Sequence, residues 1–374
     1  MLQKQPIMRK VLYSLIPLWL LSVYLYGWRA ILMPLVLFPV GILAEYWMER
    51  VKAKDKSKVQ VTEAVLVSSA LFSLSLPPGL PIWMGIIGIL FAVIFGKMVF
   101  GGFGRNVFNP AITGRVFIYL AFPAFLGTLW MVPGAAGNWN PSTLIMEWLP
   151  KALQPDVITT ATTMDFLKSA AGQAAPIYQG ASLAITEAGQ STNWLGMFLG
   201  FESGSLGETS ALLIILAGIY LMFTPVFKKN KDGTKSLSIT PTANYRMILG
   251  TLFGAAAVLA ALWYLPGLVP GWIPAPRRIE PLAGLLSGSL LFVAVFMATD
   301  PISGPKKVPS QWVYGLLIGA VSILVRTFSG FPEGVSFGVL IANMFAPLLD
   351  ETIGKWGAKK PVAAPKAPVG EVKV

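Results

Sequence analysis

Apolar stretches long enough to cross a bilayer recur along almost the whole chain, and this recurrence leaves few folds open. Inside hydrocarbon every backbone N–H and C=O must be satisfied within the protein, so only helices and closed barrels can span. Runs of about twenty apolar residues mark helices, because a spanning strand needs only about ten. Crossings are expected near 11–27, 30–48, 62–77, 81–100, 108–131, 207–226, 246–265, 281–299, 311–327 and 334–350. The third, fifth and tenth are short or interrupted by Pro and Gly, which leaves their boundaries loose. A cleavable leader does not explain the pattern, since the first apolar segment is followed by many more. Charged residues make up 12% of the chain, about half the share of a soluble protein. The fold class is therefore an all-α integral membrane protein of about ten transmembrane helices.

Charge gives an orientation. With the N-terminus inside, Lys4, Arg9 and Lys10 fall in the cytoplasm, as do Arg50, Lys52, Lys54, Lys56 and Lys58. Lys97, Arg105, Lys228, Lys229, Lys231, Lys235, Arg246, Lys306, Lys307 and the lysines of the tail follow. Arg29, Lys151, Lys168, Arg277, Arg278 and Arg326 lie outside, and Arg115 lies within a crossing. Basic residues concentrate in cytoplasmic loops, so both termini are expected in the cytoplasm of a bacterial or archaeal cell. The net charge of +12 then records orientation in a lipid membrane and not nucleic-acid binding.

One long stretch, 132–206, is hydrophilic and rich in Ala, Gly, Thr and Pro. Loops of that length are usually functional, and this one emerges on the outer face. It divides the chain into a first transmembrane half (1–131), the outer loop (132–206), a second half (207–356) and a flexible tail (357–374). An odd number of crossings in each half implies that related halves insert in opposite senses, as in inverted-repeat transporters. Leu76-Pro77-Pro78 and Phe108-Asn109-Pro110 in one half correspond to Asp300-Pro301 and Phe331-Pro332 in the other.

Two absences limit the chemistry. The chain has no cysteine and no histidine, so it cannot ligate an iron–sulfur cluster and lacks the commonest metal ligand. Electrons, if it handles them, need an organic cofactor.

Three kinds of residue could carry function. Phe100-Gly101-Gly102-Phe103-Gly104-Arg105-Asn106-Val107-Phe108-Asn109-Pro110-Ala111 packs glycines densely enough for backbone to approach a flat ligand. It also fits a tight turn with capping asparagines. Asp156-Val157-Ile158-Thr159-Thr160-Ala161-Thr162-Thr163 is a polar turn whose hydroxyls could be esterified. Asp300, Glu333, Asp350, Glu208 and Glu45 are carboxylates at the ends of crossings, candidates for cation coupling or for helix capping.

These stretches occur in order with Gly204-Ser205-Leu206-Gly207-Glu208-Thr209-Ser210, Ala298 through Pro305, Phe331-Pro332-Glu333-Gly334 and Asn343 through Pro347 to Asp350. Together, over about 60–350, they resemble the family comprising the D subunit of the Rnf electron transport complex and the B subunit of the sodium-pumping NADH:quinone reductase. The resemblance implies a urea-transporter-like fold of two inverted five-helix repeats. It implies FMN joined by a phosphoester to the final threonine of a Ser/Thr-x-Ala-Thr motif, here Thr162, by a flavin transferase. Thr160 and Thr163 depart from the commoner residues, which leaves Thr163 a second candidate. A non-covalent riboflavin is also implied, with Gly101, Gly102, Asn106 and Asn109 its expected neighbourhood. A flavin carries one or two electrons without Cys or His ligands.

The chain would then act only within a complex, an ion-translocating oxidoreductase. Its partners would be subunits bearing iron–sulfur centres and a second covalent flavin. Ferredoxin:NAD oxidoreduction of the Rnf type is favoured over quinone reduction, because the quinone-reductase subunit typically has a longer N-terminal extension and here the first crossing starts near Val11. A flavin-free solute channel of the same fold is the alternative of another class, and the Thr162 motif argues against it.

Overall fold

The computed structural model describes residues 2–123, 129–141, 143, 159–160, 194–201, 203–229, 235–239, 241–268, 279–329 and 334–353. The first helices are α1 (Pro6–Tyr26), α2 (Trp28–Lys52), α3 (Glu63–Leu74), α4 (Ile82–Val93) and α5 (Pro110–Ala121). A π-helical turn, Ile94–Met98, extends α4. The short α6 (Trp194–Leu199) precedes α7 (Ala211–Phe223), α8 (Tyr245–Leu268), α9 (Pro281–Leu286), α10 (Leu290–Phe296), α11 (Val308–Phe328) and α12 (Val335–Thr352). Strand pairing among the described residues is confined to three two-stranded ladders. β1 (Leu2–Gln3) pairs with β2 (Val61–Thr62), and β3 (Trp130–Met131) with β4 (Thr159–Thr160). β5 (Pro225–Lys229) and β6 (Lys235–Ile239) form a hairpin between α7 and α8. The apolar pattern gives no hint of this hairpin.

Local sequence explains most boundaries. Proline opens α1, α5 and α9, where its missing N–H costs nothing. The Asn109, Ser210 and Glu280 side chains accept from the first backbone amides of α5, α7 and α9. α3 stops at Ser75, just before the Leu76-Pro77-Pro78 interruption. The tenth segment, interrupted by Pro in the sequence, is the continuous α12 with Pro347 inside it, as membrane helices tolerate proline where neighbouring groups re-satisfy the backbone. The segment that does break is the eighth. Gly288, with φ +70, separates α9 from α10 in a conformation that ends a helix.

By length and composition α1, α2, α11 and Tyr245–Leu265 of α8 can each cross a membrane, while α3, α4, α5 and α7 are shorter apolar helices. In the first half α1 packs on α3, α2 on α3 and α4, and α4 on α5. In the second, α7 packs on α10, α8 on α9, α10 and α11, and α11 on α12. Between the halves α1 meets α7 and α5 meets α12. The closest crossing is α8 on α11, where Gly250 and Gly254 face Gly315 and Gly319. A Cβ on Gly315 would sit 2.6 Å from the Met247 carbonyl oxygen. Such small-xxx-small pairs are the means by which membrane helices approach backbone to backbone.

Candidate functional site

A cavity of about 70 Å³ lies where the halves meet, between α1, α3, the π turn and the start of α5 on one side and the ends of α7 and α10 on the other. Phe103, Asn106, Asn109, Lys97, Thr299 and Asp300 are in its wall. The glycine-rich turn borders it. Gly101 and Gly102 have φ of 112 and 95, which side chains rarely adopt. The Gly102 N–H donates back to the Lys97 carbonyl at 3.2 Å, and the Lys52 ammonium donates to the Met98 carbonyl. The glycines thus fold the chain back sharply from α4 toward α5. Asn106 Nδ2 donates to the Phe108 carbonyl at 3.0 Å. Asn109 Oδ1 accepts from Ala111 N–H at 3.0 Å and Ile112 N–H at 3.3 Å, and its Nδ2 donates to the Met297 carbonyl at 3.4 Å. Asn109 therefore caps α5 and ties the two sides together, while Asn106 braces the turn itself.

The cavity has room for roughly five waters, less than a tricyclic ring requires. A second cleft, about 360 Å³, lies across the same turn, between Gly104–Val107, the Ile302–Lys306 loop and α12. Small-molecule sites commonly occupy about 300–1,000 Å³. Asn343, 1% exposed, lines this cleft. Its Oδ1 accepts from the Tyr314 hydroxyl at 2.6 Å, and its Nδ2 has no partner among the described residues.

Several basic residues assigned to one side of the membrane by their charge are buried within the protein. Lys97 donates to Glu45 Oε2 and to Thr62 Oγ1, both at 2.7 Å, and the Thr62 hydroxyl and N–H donate to Glu45 Oε1. The lysine and the glutamate are 2% and 1% exposed. Arg29 donates to the Pro78, Leu80 and Thr143 carbonyls, and Arg326 donates to those of Gly284 and Ser287 beside the α9–α10 break. Arg29 and Arg326 thus satisfy carbonyls of loops and of the α9–α10 break, and Lys97 a buried carboxylate, which a count of charges cannot foresee. Leaving one half of a buried pair behind is costly, so Lys97→Met should destabilise the protein by about 3–5 kcal/mol. Adding Glu45→Leu should recover most of that. Thermal unfolding followed by tryptophan fluorescence reads both, and equal melting temperatures for wild type and Lys97→Met would refute it.

The carboxylates predicted to couple cations have partners. Glu208 Oε1 accepts from Ser205 N–H at 2.6 Å, and its Oε2 stands 3.7 Å from Arg115 of α5. The surrounding Gly204–Ser210 segment is buried throughout. Its Leu206 and Gly207 amides donate to the Leu76 and Leu74 carbonyls at the end of α3, and Ser22 of α1 donates to the Leu206 carbonyl. Asp300 accepts from Ile302 N–H at 3.1 Å and Ser303 Oγ at 2.9 Å on the cavity wall. Asp350 accepts from the Lys306 and Lys307 amides at 2.8 and 3.0 Å and so ties the end of α12 to the chain just ahead of α11. Its surroundings are those of a helix clamp.

Glu333, Thr162 and Thr163 lie outside the described residues. Thr159–Thr160, just before Thr162 in the sequence, pairs with Trp130–Met131. Among the described residues no group of acidic side chains could hold a metal ion.

Among the described residues, four helices long and apolar enough to cross a membrane, with four shorter apolar helices beside them, define a multi-pass membrane protein. The chain matches the NQR2, RnfD, RnfE family over residues 2–230 and 233–356, and it belongs to that family. It is 32% identical to the D subunit of the ion-translocating oxidoreductase complex of Halorhodospira halophila, over 93% of this chain and 89% of that one. It is 31% identical to the B subunit of the Na(+)-translocating NADH-quinone reductase of Pseudoalteromonas atlantica, over 92% of this chain and 71% of that one. The same reductase component from Azotobacter vinelandii is 33% identical over 82% of this chain, which spans 63% of that relative.

Proposed function

We propose that the chain is the membrane flavoprotein subunit of a redox-driven ion pump of the ferredoxin:NAD type, carrying FMN on Thr162. The observation that supports it most is the family match over nearly the whole chain, with relatives named as components of ion-translocating oxidoreductases. The Asp156-x-x-Thr-Thr-Ala-Thr162 motif adds the attachment site. FMN held there would accept and pass one or two electrons. The protein's own contribution is to present the Thr162 hydroxyl on the outer face, where partner subunits and a flavin transferase can reach it.

Riboflavin belongs to the same reading, beside Gly101, Gly102, Asn106 and Asn109. Asn106 and Asn109 line the inner cavity, and Asn106 also lines the larger cleft across the turn, which has the volume of a small-molecule site and the Asn343 amide in its wall. The pairing of α1 with α7 and of α5 with α12 supports two inverted five-helix repeats and about ten crossings. The split of basic residues supports cytoplasmic termini in the inner membrane. Iron–sulfur subunits and a second covalent-flavin subunit complete the complex.

Purification of the intact complex tests the whole reading. It should reduce NAD+ with reduced ferredoxin, and this chain should fluoresce under ultraviolet light after denaturing electrophoresis. A complex that reduces quinone with NADH instead points to the quinone-reductase role. A dark band from a complex matured with its transferase would rule out the flavoprotein.

A further inference from the structure

The cavity between the halves has a floor. Along α3 its lining runs from Ala64 to Leu71, and the Leu74 and Leu76 carbonyls that bind the Gly204–Ser210 segment follow about one turn further on. Along α5 the lining ends at Pro110, and Arg115 lies roughly 7 Å beyond it on the same helix. That layer holds the Arg115–Glu208 pair, 3.7 Å apart and 0% and 2% exposed. One partner belongs to the first half, and the other to the segment that leads into the second. The Arg115 guanidinium also donates to Ser205 Oγ at 3.2 Å and lies 5.6 Å from the Tyr119 ring centre.

A buried ion pair adds little to stability, because well-packed apolar side chains of similar volume often serve as well. A guanidinium fixed at membrane depth is, however, an effective barrier to other cations. Its surroundings suit a cation. The layer offers the Glu208 carboxylate, the Ser205 hydroxyl and the C-terminal end of the half-length α3, whose dipole is negative there. The Ser203 hydroxyl, 3% exposed, has no partner among the described residues. At 3.7 Å the two charges attract each other without a direct hydrogen bond between them.

We propose that Arg115 is a tethered cation that closes the path between the halves at Glu208. A translocated monovalent cation takes its place beside that carboxylate when the pair opens. This deepens the ion-pump reading and rests on it.

The test uses the whole complex in proteoliposomes, read for passive Na+ and H+ flux without redox substrates and for ions moved per electron with them. Arg115→Gln should raise the passive flux at least ten-fold at unchanged covalent flavin content. Arg115→Met combined with Glu208→Leu should be as tight as wild type, and its ions per electron should fall toward zero. Wild-type coupling in the double variant overturns the proposal, since a merely structural pair can be replaced by apolar side chains. A tight, fully coupled Arg115→Gln complex overturns it too, and if that variant does not assemble the double variant decides. Should the wild-type complex lack flavin or electron transfer, the functional reading fails, while the passive flux of Arg115→Gln still reports on the barrier.

Discussion

Thr162→Val should yield an assembled complex in which this chain carries no covalent FMN at all. Valine keeps the branched shape of threonine and removes only the hydroxyl, and a phosphoester cannot form without that oxygen. The preceding Thr159–Thr160 segment is tied to Trp130–Met131 by its backbone, so its pairing does not depend on the substituted side chain. The effect is all or none, because every electron routed through that flavin is lost with it. Thr163→Val should leave the flavin in place, which separates the two candidate hydroxyls. Peptide mass spectrometry of complex matured with its flavin transferase decides the question. An FMN-sized adduct on Thr163, or none on either threonine of the wild type, would sink the assignment.

Hydrophobicity and turn chemistry act over short stretches of chain, and what they control is readable in the sequence. The apolar segments fall on the helices, and Asn109-Pro110 opens α5 as a cap followed by a proline. Long-range pairing is not readable. Lys97 counts as an inside charge by position, yet its partner Glu45 stands on α2 and holds it in the interior. Arg115 and Glu208 meet across the whole of the outer loop, and a charge count registers their signs but not their distance. Asp350 is a candidate for cation coupling by its depth, and its bonds to the Lys306 and Lys307 amides just ahead of α11 are not readable from the sequence. The eighth segment breaks where Gly288 allows it, and Arg326, distant in sequence, fills the break. Each omission is a contact between residues that hydropathy treats one at a time. The glycine spacing on α8 and α11 is legible in principle, since both helices carry Gly-x-x-x-Gly.

Gly319→Ala sets two effects of opposite sign against each other, and packing should win. In an isolated helix, alanine for glycine is worth about 1 kcal/mol in favour of the helix. At this crossing the added methyl would overlap the Thr251 carbonyl oxygen and press on the Ala255 amide. Neither contact can relax by turning a side chain, because both are backbone atoms of α8. The helices must part, and the contacts from Gly250 to Gly319 loosen together. Overpacking of this kind costs about 1–3 kcal/mol or more, so the net change should be a loss of stability. Gly319→Leu should prevent the second half from assembling, as no parting of a few tenths of an ångström admits four carbons. Leu324, 43% exposed on the outer surface of α11, supplies the control, and Leu324→Ala should change little. Melting temperature and yield of the folded protein read the series. A Gly319→Ala protein more stable than wild type would mean that helix propensity outweighs the crossing and that α8 and α11 do not pack at these glycines.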